Sequence, residues 1–136
     1  MEKVFVDTNI IIDLLAKREP FYIDAQDLFT LSDKKKIQLF ISSLSFANAY
    51  YSIAKHHKTI DAKKFLQRFK VLVEILPLTD KSIELALASN FNDFEDGLQY
   101  FIALEHGCDI IITRNSKDFK NSIIPIMNAN EYLNRK

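Results

Sequence analysis

The chain has 136 residues, of which 48% are hydrophobic and 26% charged, and its 18 basic and 18 acidic side chains cancel. That length is enough for one domain to bury roughly two thirds of its unfolded surface, and with no net charge any nucleic-acid binding must come from local patches. The single cysteine, Cys108, excludes an internal disulfide and a multi-cysteine zinc site, and two glycines are too few for glycine-rich phosphate loops.

Lys3–Val6 reads as a short buried strand. Asn9–Ala16 follows with Ile10, Ile11, Leu14 and Leu15 at helical spacing, and Pro20 ends it, because proline disfavours helix in the residue before it. Tyr22 to about Lys34 is predicted as a second helix, with Ala25, Leu28, Phe29 and Leu31 apolar and Asp24 in its first turn. Leu39–Ile41 is a second strand. Ser42 or Ser43 then caps a helix carrying Leu44, Ala47, Tyr51 and Ile53 or Ala54. After the polar break KHHKTID, the segment AKKFLQRFKVLVE resumes helical periodicity through Phe65, Leu66, Phe69 and Leu72. VEILPL is a third strand, and Thr79 or Asp80 caps the helix of Ile83, Leu85, Leu87 and Ala88. Asn92 or Asp93 caps the next, with Phe94, Leu98, Phe101 and Ile102 as its apolar set and Gly107 as its stop. Asp109–Thr113 is the cleanest strand, IIPIM a short final one, and NANEYLN a last helical turn.

Strand and helix signals alternate along the whole length, which predicts an α/β fold around a mainly parallel sheet. No linker or repeat divides the sequence, so residues 1–136 are expected to form a single domain. No signal-peptide pattern opens it, and no apolar run nears the ~20 residues of a membrane span. A soluble, cytoplasmic protein with no membrane partner is the expectation.

In parallel α/β sheets, ligands bind outside the carboxyl ends of the strands. Asp7 follows the first strand directly, and Asp118 lies just after the DIIIT strand, with Thr113 and Asn115 between. Asp93 and Asp96 are three residues apart at the start of the helix that feeds that strand. Taken alone, each acid has a simpler reading as a helix cap or turn residue. Together they would repel unless a cation neutralised them, and clustered carboxylate oxygens suit Mg²⁺ or Mn²⁺. Such a site activates water and stabilises charge on a phosphoryl group, the chemistry of a metal-dependent phosphodiesterase or phosphatase.

The segments VFVDTNIIIDLL, ISSLSFANAYY, DFEDGLQYFIALEHGCDIIITRN and SKDF, in that order, resemble the PIN-domain family and its toxin-type (VapC-like) ribonuclease branch. The resemblance implies a three-layer α/β/α domain with a mainly parallel central sheet, and a Mg²⁺- or Mn²⁺-dependent endoribonuclease acting on RNA. It implies Asp7, Asp96 and Asp118 as metal ligands, Asp93 as a fourth acid, and Thr113 and Asn115 as polar support. It also implies a cognate antitoxin as partner and a homodimer. One position departs from the pattern: where members carry a glutamate, this chain has Asn48, whose amide offers an oxygen but no charge. Asp93 is one candidate to restore that charge. Glu95 is another, though two residues from Asp93 it is expected to point around the helix. Asn48 also motivates an alternative, a PIN-like module with impaired catalysis that binds RNA or a protein partner.

The remaining polar features have simpler readings. Lys34–Lys36 and the KHHK run suit helix ends before they suit phosphates, and His106 and Cys108 read as turn or packing residues. Phe65, Phe69 and Phe101 sit at helical spacing and are expected in the core. Arg114, beside the expected metal site, is the candidate for a bidentate phosphate contact.

Overall fold

The structure, a computed structural model, describes residues 1–119 and 122–135. Five strands, β1 (Lys3–Val6), β2 (Gln38–Ser42), β3 (Glu74–Leu76), β4 (Ile110–Ile112) and β5 (Ile126–Met127), form one sheet. All pairings are parallel, in the order β3-β2-β1-β4-β5. Helices α1 (Thr8–Leu15), α2 (Tyr22–Asp33), α3 (Ser43–His56), α4 (Ala62–Phe69), α5 (Asp80–Ala88), α6 (Phe94–Glu105) and α7 (Ala129–Asn134) cover it.

Strand periodicity divides the core into two layers. Successive side chains of a strand point to opposite faces. Val4, Val6, Leu39, Ile41, Ile110 and Ile112 therefore pack on one side with Ile10 and Ile11 of α1 and with Leu28 and Phe29 of α2. Phe5, Phe40 and Ile111 point to the other side and meet Tyr100, Ile102 and Ala103 of α6. With helices on both faces the central strands β1, β2 and β4 are largely buried, as parallel strands are, whereas the edge strands β3 and β5 are only partly so. The architecture is α/β/α.

Local chemistry sets the helix ends. Ser42, fully buried, accepts the Ser45 N–H at 2.9 Å and caps α3. Thr79 and Ser82 cap α5 reciprocally. After α6, Gly107 takes φ +67° and donates its N–H to Leu104 O, while Cys108 N donates to Ala103 O. That pair of bonds is a Schellman stop, and the left-handed residue is the glycine that such a stop favours.

Three expectations are corrected. The helix capped by Asp61 ends at Phe69, and Lys70–Leu72 tightens into a 3₁₀ turn before β3. Ser32 Oγ of α2 donates to the Leu72 carbonyl, so the shortened helix end has its hydrogen-bond partner. Phe65, expected in the core, is 38% exposed, and Phe94, read as part of the apolar set of its helix, is 46% exposed. Phe94 is the first residue of α6, whereas Leu98 one turn later is buried. Among the described residues, no helix is long and apolar enough to cross a membrane.

β1 sits between β2 and β4, so the chain winds away from it in both directions. The carboxyl ends of β1 and β4 flank the resulting switch point, where such folds place their ligands.

Candidate metal centre at the carboxyl edge of the sheet

Asp7 is the first residue past β1, and its backbone N–H donates to Ile112 O of β4 at 3.0 Å. Its carboxylate is fixed from two directions. Oδ1 accepts the Thr8 N–H at 2.8 Å, capping α1, and Oδ2 accepts the Thr113 hydroxyl at 2.9 Å. Thr113 is fully buried at the end of β4, and its Oγ1 also accepts the Asn115 N–H at 3.1 Å. Asp7 is therefore both a helix cap and a strand-end acid, 8% exposed and pointing to one place.

The other acids arrive from α6 and from the turn after β4. Asp93 caps α6 by accepting the Asp96 N–H at 3.1 Å. Asp118 donates its N–H to Asn115 O, and Phe119, 3% exposed, anchors that turn in the core. Beneath the acids a buried polar node ties three helices together. Ser45 Oγ of α3 lies 2.7 Å from Thr8 Oγ1 of α1 and accepts from Gln99 Nε2 of α6 at 2.6 Å.

The acids meet in an open cleft of about 350 Å³. Five carboxylates line it, those of Asp7, Asp93, Glu95, Asp96 and Asp118, with Asn9, Asn48, Ser52 and Asn115 among the other polar groups and, among the described residues, no lysine, arginine or histidine. Their electrostatics show the lack of compensation. Burial pushes the Asp7 carboxyl up, against the hydrogen bonds from Thr113 and Thr8 and the weaker pull of the Arg114 charge outside the cleft. Asp96 is pushed up to about 7, first by burial and then by the charges of Asp93, Asp7, Asp118 and Glu95. Glu95 is raised by burial and by Asp7 and Asp93, with the Asn48 hydrogen bond opposing.

This donor set fits a hard divalent cation. It is all oxygen, it carries surplus negative charge, and it opens to solvent. Among the described residues, no three carboxylate, histidine or cysteine side chains stand close enough to form a ready cage for one ion. An open acidic mouth suits a cation that keeps several of its own waters.

The cleft brings together Asp7, Asp93, Asp96, Asp118, Asn48 and Asn115 from the sequence-predicted set. Thr113 stands behind Asp7 rather than in the lining. Arg114 lies outside it as well. Its Nε is 3.3 Å from Asp13 Oδ2, and its guanidinium stacks on the Phe21 ring at 4.1 Å, which ties it to the protein rather than to a phosphate in the cleft. Glu95 corrects the sequence reading most clearly. It does not turn away but lines the cleft, and its Oε1 accepts from Asn48 Nδ2 at 2.9 Å. The count of about 100° per residue from Asp93 fails because Asp93 is the cap, with extended backbone at φ −101°, ψ 123°, outside the helix. Gln99 and Ser45 carried only a weak sequence signal, polar side chains among apolar neighbours.

Comparison with known proteins agrees with this architecture. The PIN-domain family model matches residues 3–117. The chain is 34% identical to a protein named Ribonuclease VapC1 from Aquifex aeolicus, over 98% of this chain and 95% of that one. Among solved structures, a toxin–antitoxin complex from Klebsiella pneumoniae superposes with TM-score 0.71 at 22% identity, covering 93% of this chain and 97% of the other. VapBC2 from Rickettsia felis, bound to a DNA fragment from its promoter, gives TM-score 0.66 at 22% identity with the same coverage.

Proposed function

This chain belongs to the PIN-domain family, and on that premise we propose that it is a divalent-metal-dependent endoribonuclease, the toxin of a toxin–antitoxin pair. The observation that carries the chemistry is the gathering of five carboxylates at the strand ends with, among the described residues, no cationic side chain in the lining. The relative at 34% identity, named a ribonuclease, supports RNA as substrate. The toxin–antitoxin complexes among the structural neighbours support an antitoxin protein as partner.

In this reading Asp7, Asp96 and Asp118, with Asp93, hold Mg²⁺ or Mn²⁺. A metal bound there supplies Lewis acidity, which makes a hydroxide available near neutral pH and offsets charge developing on the phosphodiester. The chain's own residues do the positioning. Thr113 and the Thr8 N–H keep the Asp7 carboxylate in one orientation. Asn115, at the mouth, offers an amide to water or phosphate. Asn48 acts indirectly, by holding Glu95 in the cleft. Glu95 restores the negative charge that an asparagine at position 48 lacks, so the departure at that position is compatible with catalysis.

The test is cleavage of a mixed pool of single-stranded and structured RNA in Mn²⁺, Mg²⁺ or EDTA, with Asp7→Asn and Asp96→Asn as controls. Metal-dependent cutting that both variants lose is expected. A folded wild type that binds metal and cuts nothing would favour the second reading that Asn48 raises, a PIN-like module that binds RNA or a protein without cutting.

A further inference from the structure

Next to the acidic cleft lies a second cavity, of about 470 Å³, that metal chemistry leaves unused. Asp93 and Asp118 line both spaces, so the two share a wall. Their characters differ. The second cavity is walled by the rings of Phe91, Tyr100 and Phe101, with the exposed side chains of Asn90, Asn92 and Lys117 at its rim.

The aromatic wall is held firmly. The Phe91 ring sits 5.2 Å from Tyr100, 6.2 Å from Phe101 and 5.8 Å from Phe119, measured between centroids. The Tyr100 hydroxyl accepts the Ile123 N–H at 3.3 Å, which fixes the ring behind it. The segment before α6 is pinned as well, because Phe91 N donates to Ser89 Oγ and Ser89 Oγ donates to Ala86 O. Phe91 and Phe101 are only half-buried, so a rigid aromatic surface faces the cavity.

We propose that this cavity is a subsite for one unpaired nucleobase of the RNA, adjoining the phosphate that lies in the acidic cleft. The inference rests on the nuclease reading and specifies its substrate. A volume of this order falls in the ~300–1,000 Å³ range of small-ligand pockets and admits a nucleotide. Aromatic rings stack on any base face, whereas asparagine amides both donate and accept and so read a base edge. Lys117 supplies a positive charge for the neighbouring phosphate, beside Asp93 and Asp118. In a strand, each base is joined through its ribose to its own phosphate. A base seated against Phe91 therefore sets that phosphate near Asp93 and Asp118, where the cleft begins. A duplex could not deliver its base this way, so the substrate is single-stranded or looped at this point.

The experiment measures binding separately from cutting. Fluorescent short homopolymers of A, C and U, and an abasic ribose-phosphate strand of equal length, are titrated into Asp7→Asn protein in Mg²⁺ and followed by anisotropy. At least one base series should bind about tenfold more tightly than the abasic strand, the effect of one stacked base. Phe91→Leu and Asn92→Ala should each remove most of that advantage while leaving abasic binding as it was. Asn92 is exposed, so its variant tests the subsite even if Phe91→Leu disturbs folding. Lys117→Ala should weaken every strand, the abasic one included. Equal binding of abasic and base-bearing strands, or a base advantage that survives both Phe91→Leu and Asn92→Ala, would overturn the subsite. Metal-dependent cutting by protein otherwise wild type, with unchanged site preference in both variants, would also overturn it and leave the nuclease intact. Base-dependent binding lost in the variants, by a wild type that never cuts, would uphold the subsite and remove the nuclease.

Discussion

Two aspartates at opposite ends of α1 have opposite surroundings. Asp13 is 1% exposed and Asp7 8% exposed, and burial raises both carboxyls. Asp13 is balanced: Arg18 Nε lies 2.9 Å from Oδ1 and Arg114 Nε 3.3 Å from Oδ2. Asp7 has two hydrogen-bond donors and some relief from Arg114, but its open side faces other carboxylates. The first arrangement ties α1 to the turn after β4 that carries Asn115 and Asp118. The second leaves negative charge unmatched, at the stability cost expected of a binding site. A buried acid alone does not distinguish scaffold from site; the neighbouring charges do.

Removing the balance on the scaffold side should have the largest effect on stability. Asp13→Ala leaves two partly buried guanidinium groups without their carboxylate. Breaking a fully buried pair costs ~3–5 kcal/mol. Arg18 and Arg114 keep 34% and 25% of their side-chain exposure, so about 2–3 kcal/mol is expected after allowance for screening. Urea unfolding measures it, and a change below about 0.5 kcal/mol would mean that the pair is no more than a surface contact.

On the site side, a change of similar chemistry should leave folding alone and affect the metal. Glu95→Gln is expected to weaken Mn²⁺ binding about tenfold by calorimetry, the scale seen when a group supporting a metal is lost. Adding Asn48→Glu to that variant returns the charge across the hydrogen bond and should restore most of the affinity. If Glu95→Gln binds Mn²⁺ like the wild type, Glu95 has no part in the centre.

The sequence carries the parts of this contrast that are local. Alternation in KVFV and DIIIT reveals strands because it reflects which face each side chain takes, and the two core layers follow that alternation. Asp7 and Asp118 were legible as acids just after strands, and Asp93 and Asp96 as acids at the start of the helix that feeds β4. Reading Asp7 and Asp93 as caps was equally sound, and the structure makes each of them a cap that also lines the cleft. What the sequence hid depends on distant partners. Arg114, just past β4, pairs with Asp13 of α1, far from it in the chain, and Gln99 meets Ser45 across 54 residues of chain. Glu95 was misjudged through one local detail: its direction was counted from Asp93 as though that residue were helical, whereas the cap has extended backbone and the helical count does not run through it.

The smallest effect bears most directly on the claim that the cleft is an uncompensated charge cluster awaiting a cation. Asp96 titrates at about 7 when folded and near 3.8 otherwise. As pH rises between those values the unfolded chain gives up its proton first, so metal-free stability falls across that window, by about 1 kcal/mol after screening. The deciding measurement is the thermal melting of wild type and Asp96→Asn at pH 5 and pH 8, with and without Mn²⁺. The wild type without metal should melt a few degrees lower at pH 8 than at pH 5, and Mn²⁺ should raise it chiefly at pH 8, where protons no longer compete. Asp96→Asn should lose most of the pH slope and most of the response to Mn²⁺. If Mn²⁺ leaves the wild type unchanged at pH 8, or raises the Asp96→Asn variant equally, the cleft is not the metal centre.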